Sequence, residues 1–157
     1  MADGDEWDIE FYADERGREP CLKWMRGLSR EKRIALETAI ELVLAHRGLD
    51  VVETEFGKAL GGGLNEFRVR WSAEEVASKA GAVLAEPVAE TEAILLRLFF
   101  CAAGRKIILL LSGYDKAKNP GDRRQDWEIA EARKLLTAHR EAEKRARAGY
   151  HGEVGRR

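Results

Sequence analysis

Apolar and polar residues alternate along Trp7–Tyr12 (WDIEFY), a period of two that predicts a β-strand. The charged turn ADERGRE follows. Pro20 then stands where the first turn of a helix accepts proline, with Leu22, Trp24, Met25 and Leu28 apolar along that helix. Ser29 fits the N-cap of a longer helix, in which Ile34, Leu36, Ile40, Val43 and Leu44 recur at helical spacing until Gly48 stops it. The stretch LDVVETEFGKALGGG reads as a loop, its three consecutive glycines marking a turn. Alternation returns in Leu64–Trp71 (LNEFRVRW). Leu64, Glu66, Arg68 and Arg70 share one face; Asn65, Phe67, Val69 and Trp71 share the other.

Two more apolar runs, Ala93–Ala103 and Lys106–Tyr114, predict strands joined by the short hairpin AAGR. The Ala- and Glu-rich segment 73–92 separates two strands that would otherwise form a hairpin. It reads as an insertion, either a short helix or a mobile loop. From about Arg124, residues Trp127, Ile129, Ala132, Leu136 and His139 give a last helix its apolar stripe, and 150–157 read as a flexible tail.

The element order is thus β, α, α, β, insertion, β, β, α. Three consecutive strands suggest an antiparallel meander. The expected fold is one α+β domain over 1–149, in two layers: two N-terminal helices and a C-terminal helix packed on a small, mainly antiparallel sheet. A chain of 157 residues is long enough for such a core.

Composition narrows the class. Apolar residues make up 45% and charged residues 35%, a soluble globular balance. No apolar run is long enough to cross a bilayer, and the acidic start MADGDEWD lacks the basic and apolar regions of a signal peptide. Cys21 and Cys101 offer neither a disulfide framework nor metal-ligand spacing, and read as reduced thiols of a cytoplasmic protein. The formal net charge of −1 points to no partner, but its distribution does: seven Lys/Arg between Arg97 and Arg124 face only Asp115 and Asp122 there. Nucleotide-phosphate loops, zinc fingers and nucleophile elbows are excluded, because GxxxxGK[ST], CxxC and GxSxG are all missing.

Three pieces then occur in order: GGLNEFRV, RLFFCAAGRKIILLLSGYDKAK, and EIAEARK in the last helix. With the N-terminal FY strand and the Arg- and Leu-rich early helices, they resemble the RelE/HigB-like toxins of bacterial type II toxin–antitoxin systems, most closely the phage Gp49-like branch. The resemblance covers about residues 7–140, apart from 73–92. It implies a RelE-like fold and a small cytoplasmic ribonuclease that cuts mRNA, usually in the ribosomal A site, without metal or other cofactor. It also implies a cognate antitoxin, expected to be of helix-turn-helix type.

Metal-free RNA cleavage uses the substrate's 2′-OH as nucleophile. It needs help in removing that proton, cations around the phosphorane, and a proton for the 5′-oxygen. Arg68 and Arg97 are the candidate phosphate clamps, being forked, permanently charged and mounted on strands. Arg68 could equally form an ion pair with Glu66. Arg97 is the one charge in its apolar strand and must face solvent, find a partner or serve a site. Tyr114 sits where the family places an active-site residue at the end of the last strand. Its ring could stack on a base, or its hydroxyl could orient the 2′-OH; an ordinary strand-end tyrosine is the competing reading. Lys116 and Asp115 complete the catalytic candidates, Asp115 as a base or as the partner of a lysine. Lys58, Arg70 and Lys118 are the RNA-binding candidates, and Lys118 could also be part of a solvated basic turn. Many HigB-type relatives carry a histidine where this chain has Ser112, and His46, His139 and His151 lie away from the motifs. A non-catalytic antitoxin- or nucleic-acid-binding module of the same fold is the competing function. A structural phage protein would need an oligomerising apolar surface, of which the sequence gives no sign.

Overall fold

The computed structural model describes residues 5–155, and the fold within them is α+β. Strand β1 (Asp8–Phe11) is followed by α1 (Pro20–Arg26) and α2 (Arg30–Ala39). Pro20 opens α1, and the Ser29 side chain caps α2 by accepting from the Lys32 N–H at 3.3 Å. A π-helical segment (Ile40–Leu44), the short α3 (Ala45–Arg47) and a 3₁₀ segment (Gly48–Glu53) continue the path. Then come β2 (Gly57–Gly61), β3 (Leu64–Val69), α4 (Ala73–Lys79), β4 (Leu96–Ala102), β5 (Ile107–Asp115) and α5 (Asp122–Gly155).

The five strands form one sheet in the order β1-β5-β4-β3-β2. β2 to β5 make an antiparallel meander, and β1 adds in parallel to β5. Two expectations from the sequence change here, and one left open between a short helix and a loop is resolved. The stretch read as a loop contains β2, whose hairpin with β3 turns through Gly62 and Gly63 at φ +64 and +87, a conformation glycine adopts without steric cost. β2 escapes the period-two pattern because its side chains Lys58 and Ala59 are both exposed at the sheet edge. Segment 73–92 begins with a helix that buries Ala73, Val76 and Ala77, and its far end is tied to α2: Glu31 accepts from the backbone of Thr91 at 2.7 Å and from that of Glu92. Third, α5 runs through the start of the predicted tail to Gly155, and residues 156–157 lie outside the described residues.

The two-layer expectation is also corrected. Successive strand residues alternate between two cores, one on each side of the sheet. Phe67, Leu98, Phe100 and Leu110 pack with Cys21 and Met25 of α1 and with Leu36 of α2. Leu64, Phe99, Leu109 and Leu111 pack with Ala132 and Leu136 of α5. The sheet is therefore a middle layer. Strands buried on both faces read as nearly continuous apolar runs, as β4 and β5 do. Phe67, Phe99 and Phe100 are fully buried, each contributing about 2–3 kcal/mol by transfer from water.

The β4–β5 ladder contains a bulge. Phe99 pairs with Ser112 but Phe100 pairs with Leu110, so Leu111 is an extra residue. Beyond it the alternation of β5 inverts. Tyr114 joins Leu109 and Leu111 on the α5 side, and Asp115 turns toward the α1/α2 side. No helix among the described residues is long and apolar enough to cross a membrane.

Candidate functional site

Three neighbouring strands present Arg68, Arg97 and Tyr114 in one row. Arg68 of β3 lies opposite Arg97 of β4, and Arg97 lies opposite Tyr114 of β5. Residues so paired share a sheet face, with Cβ atoms about 5 Å apart. The adjoining row on that face is Glu66, Phe99 and Ser112, with Lys58 of β2 opposite Glu66.

Two arginines at adjacent positions repel, and Glu66 offsets the repulsion. Its Oε1 accepts from Arg68 Nε at 2.6 Å and lies 3.7 Å from Arg97 Nε. Glu66 has no exposed surface, Arg97 is 5% exposed and Arg68 is half-buried. The Tyr114 ring stacks on Phe99 at 6.2 Å and 9°. Residues of α5 cover it, and the charges of Arg124 and Glu128 act on its hydroxyl.

Satisfaction of polar atoms fails here and almost nowhere else. Among the described residues, five of six buried side-chain atoms without a hydrogen bond lie in these two rows: Glu66 Oε2, Arg97 Nε and Nη1, Ser112 Oγ and Tyr114 Oη. Each such atom costs about 1–3 kcal/mol, and a native core carries few of them. Their concentration sets this patch apart from the rest of the core.

Burial pulls the Arg97 pKa below its ordinary value, against the attraction of Glu66, while a guanidinium stays charged at neutral pH. Burial, with the Glu66 charge behind it, pushes the Tyr114 phenol up, so its hydroxyl is a neutral donor. Burial also raises Glu128, more than the neighbouring Arg124 lowers it.

The remaining candidates divide. Asp115 stands on the opposite side of the sheet, where Lys32 Nζ donates to its Oδ2 at 2.6 Å and both side chains are about 6% exposed. Its Oδ1 accepts from the N–H groups of Ala117 and Lys118, closing the turn after β5. Asp115 is thus the partner of a lysine, one of its two sequence readings. Lys116 Nζ donates to Gln125 Oε1 at 2.9 Å and ties the strand end to α5. Arg70 is exposed just past β3, its guanidinium 5.7 Å from the Trp71 ring, and its charge acts on Arg97. Lys58 is exposed on β2 rather than in a loop, and Lys118 is exposed beyond β5. Among the described residues no group of three His, Cys, Asp or Glu is placed to hold a metal ion.

Ser112 and the α5 residues Arg124 and Glu128 join the site without having been candidates. Glu66 had a signal, since it precedes Arg68 by two residues and shares its face. Ser112 had one, as the position of a histidine in the family that the sequence resembles, though only the bulge turns it to this face; Glu128 had none, because the docking of α5 brings it in. The chain matches no protein-family model and no curated protein sequence.

Proposed function

We propose that this chain is the toxin of a type II toxin–antitoxin system, with a RelE-like fold: a cytoplasmic, ribosome-associated mRNA endoribonuclease that needs no metal. The observation that carries the reading is the Arg68–Arg97–Tyr114 row, in which Arg97 Nε and Nη1 and the neutral Tyr114 hydroxyl make no hydrogen bond. Arg97 and Arg68 hold the non-bridging oxygens of the scissile phosphate and stabilise the charge that grows on the phosphorane. The 2′-hydroxyl gives its proton to water, and its oxygen bonds to phosphorus as the bond to the 5′-oxygen breaks, leaving a 2′,3′-cyclic phosphate and a 5′-hydroxyl. Tyr114, whose hydroxyl is neutral and makes no hydrogen bond, gives the proton to the leaving oxygen. Glu66 holds the two guanidinium groups at the spacing the phosphate needs. The partners in this reading are mRNA, the ribosome and a helix-turn-helix antitoxin.

Burial of Arg97 and Tyr114 favours a second reading, a non-catalytic module of the same fold that binds an antitoxin or nucleic acid. Expression without a partner protein separates the two. The enzyme arrests growth and depletes mRNA, and Arg97→Gln and Tyr114→Phe each relieve both effects. A harmless wild-type chain in a host with compatible ribosomes overturns the toxin reading.

A further inference from the structure

β1 covers only part of β5. It pairs with Ile107–Leu110, and the Tyr12 N–H reaches Leu110 O as the last contact. Beyond Leu110 that side of β5 borders a cleft of about 610 Å³ between α1 and α5. Its size suits a ligand of a few rings.

The walls are aromatic and cationic. Trp24 of α1 lies against Gly113, where a Cβ would stand 2.3 Å from the indole. Trp127 of α5 lines the other wall and is 54% exposed, one of two large apolar side chains so exposed among the described residues. The Arg124 guanidinium sits 5.3 Å from the Trp127 ring centre, extending its stacking surface. Four cations and two carboxylates line the cleft. Lys32 is paired with Asp115 and Arg124 with Glu128, so Lys23 and Lys118 are left as its net positive charge. Tyr114 belongs to both the cleft and the arginine row.

We propose that this cleft binds a nucleobase of single-stranded RNA against Trp127 and Trp24, with the neighbouring phosphate on Lys118. An aromatic, cationic slot accepts any unstacked base by its π-face and its backbone by charge, whereas a base inside a duplex cannot enter. The proposal rests on the ribonuclease reading. It deepens that reading by making the nucleotide next to the scissile phosphate the one the protein grips. Tyr114 joins the two events, because it lines the cleft and stands opposite Arg97 in the sheet.

The test uses the full chain and a 2′-O-methyl hexanucleotide, which lacks the nucleophile and cannot be cut. Binding is read by tryptophan fluorescence and by anisotropy of a labelled oligonucleotide. Wild type binds with quenching. Trp127→Ala weakens binding about tenfold or more and removes most of the quenching, while Trp127→Phe keeps most of the affinity. Lys118→Ala weakens binding and lowers its salt dependence by about one ion. Trp127 and Lys118 are exposed, so these variants keep the fold, which circular dichroism checks. Equal binding by wild type and Trp127→Ala, or no binding by wild type, overturns the proposal. If Trp127→Ala binds normally while wild type still cleaves mRNA, the cleft fails and the ribonuclease reading stands. If binding depends on Trp127 but no RNA is ever cut, the ribonuclease reading fails and the base site stands.

Discussion

Arg97 and Tyr114 face each other across β4 and β5, and each keeps buried polar atoms that no neighbour satisfies. Two residues that gain so little from each other are poorly explained by stability. They also sit where burial removes the water that would otherwise weaken a charged contact.

Tyr114→Phe separates stability from function. The lost hydroxyl is buried without a hydrogen bond, so its removal leaves stability unchanged or raises it by up to about 1 kcal/mol. As a positioned donor in cleavage its loss costs about a hundredfold in rate. Denaturant midpoints and mRNA cleavage by the same preparation check both. A marked loss of stability means that the hydroxyl serves the core.

Asp115 behaves in the opposite way. Asp115→Asn keeps an oxygen for the turn but leaves the Lys32 charge buried and uncompensated, a loss of about 3 kcal/mol. The double variant Lys32→Met/Asp115→Asn recovers most of that, since no buried charge is left and the turn keeps its oxygen. Urea denaturation of the set measures the coupling.

Much of this arrangement was legible in the sequence, and the illegible part has local causes. The alternation of Leu64–Trp71 placed Glu66, Arg68 and Arg70 on one face, and the meander placed Arg97 beside them. Tyr114 was named for its position, but its face was not readable. Strict alternation in β5 puts Tyr114 opposite in sense to Leu109 and Leu111, and only the extra residue at Leu111 brings them together. The same inversion sends Asp115 to Lys32. β2 was missed because an edge strand of glycine, lysine and alanine carries no apolar alternation. The two-layer expectation failed because a continuous apolar run fits a strand buried on both faces but does not say which helix covers which face.

Acid should stabilise the protein through Glu128. Burial raises its folded pKa above the ordinary 4.5, so the folded chain binds more protons than the unfolded one as pH rises above that value. Stability from this group is present at low pH and is lost as pH climbs through the raised pKa. Glu128→Gln therefore removes a downward slope in stability above pH 4.5 and is no less stable than wild type at neutral pH. Thermal melts of both proteins across mildly acidic pH measure this. An unchanged slope in the variant sinks the assignment.

Gly113→Ala tests how the end of β5 is built. The new Cβ would stand 2.3 Å from Trp24 Cζ3 and 2.9 Å from Arg97 O, so both the indole and the neighbouring strand must give way. Overpacking of this kind costs about 1–3 kcal/mol. Two contacts share that cost, and a second substitution divides them. Trp24→Leu removes the nearer obstacle but not the Arg97 carbonyl, so Gly113→Ala costs less in the Trp24→Leu background than in wild type, and a residual loss remains. A double-mutant cycle by urea denaturation reads the difference. Full additivity would mean that Trp24 does not lie on Gly113, and the α1 wall of the cleft would then have to be redrawn. The expected coupling instead makes the small residue between Ser112 and Tyr114 the reason an indole can lie against the end of β5, on the face of the sheet opposite the row of arginines.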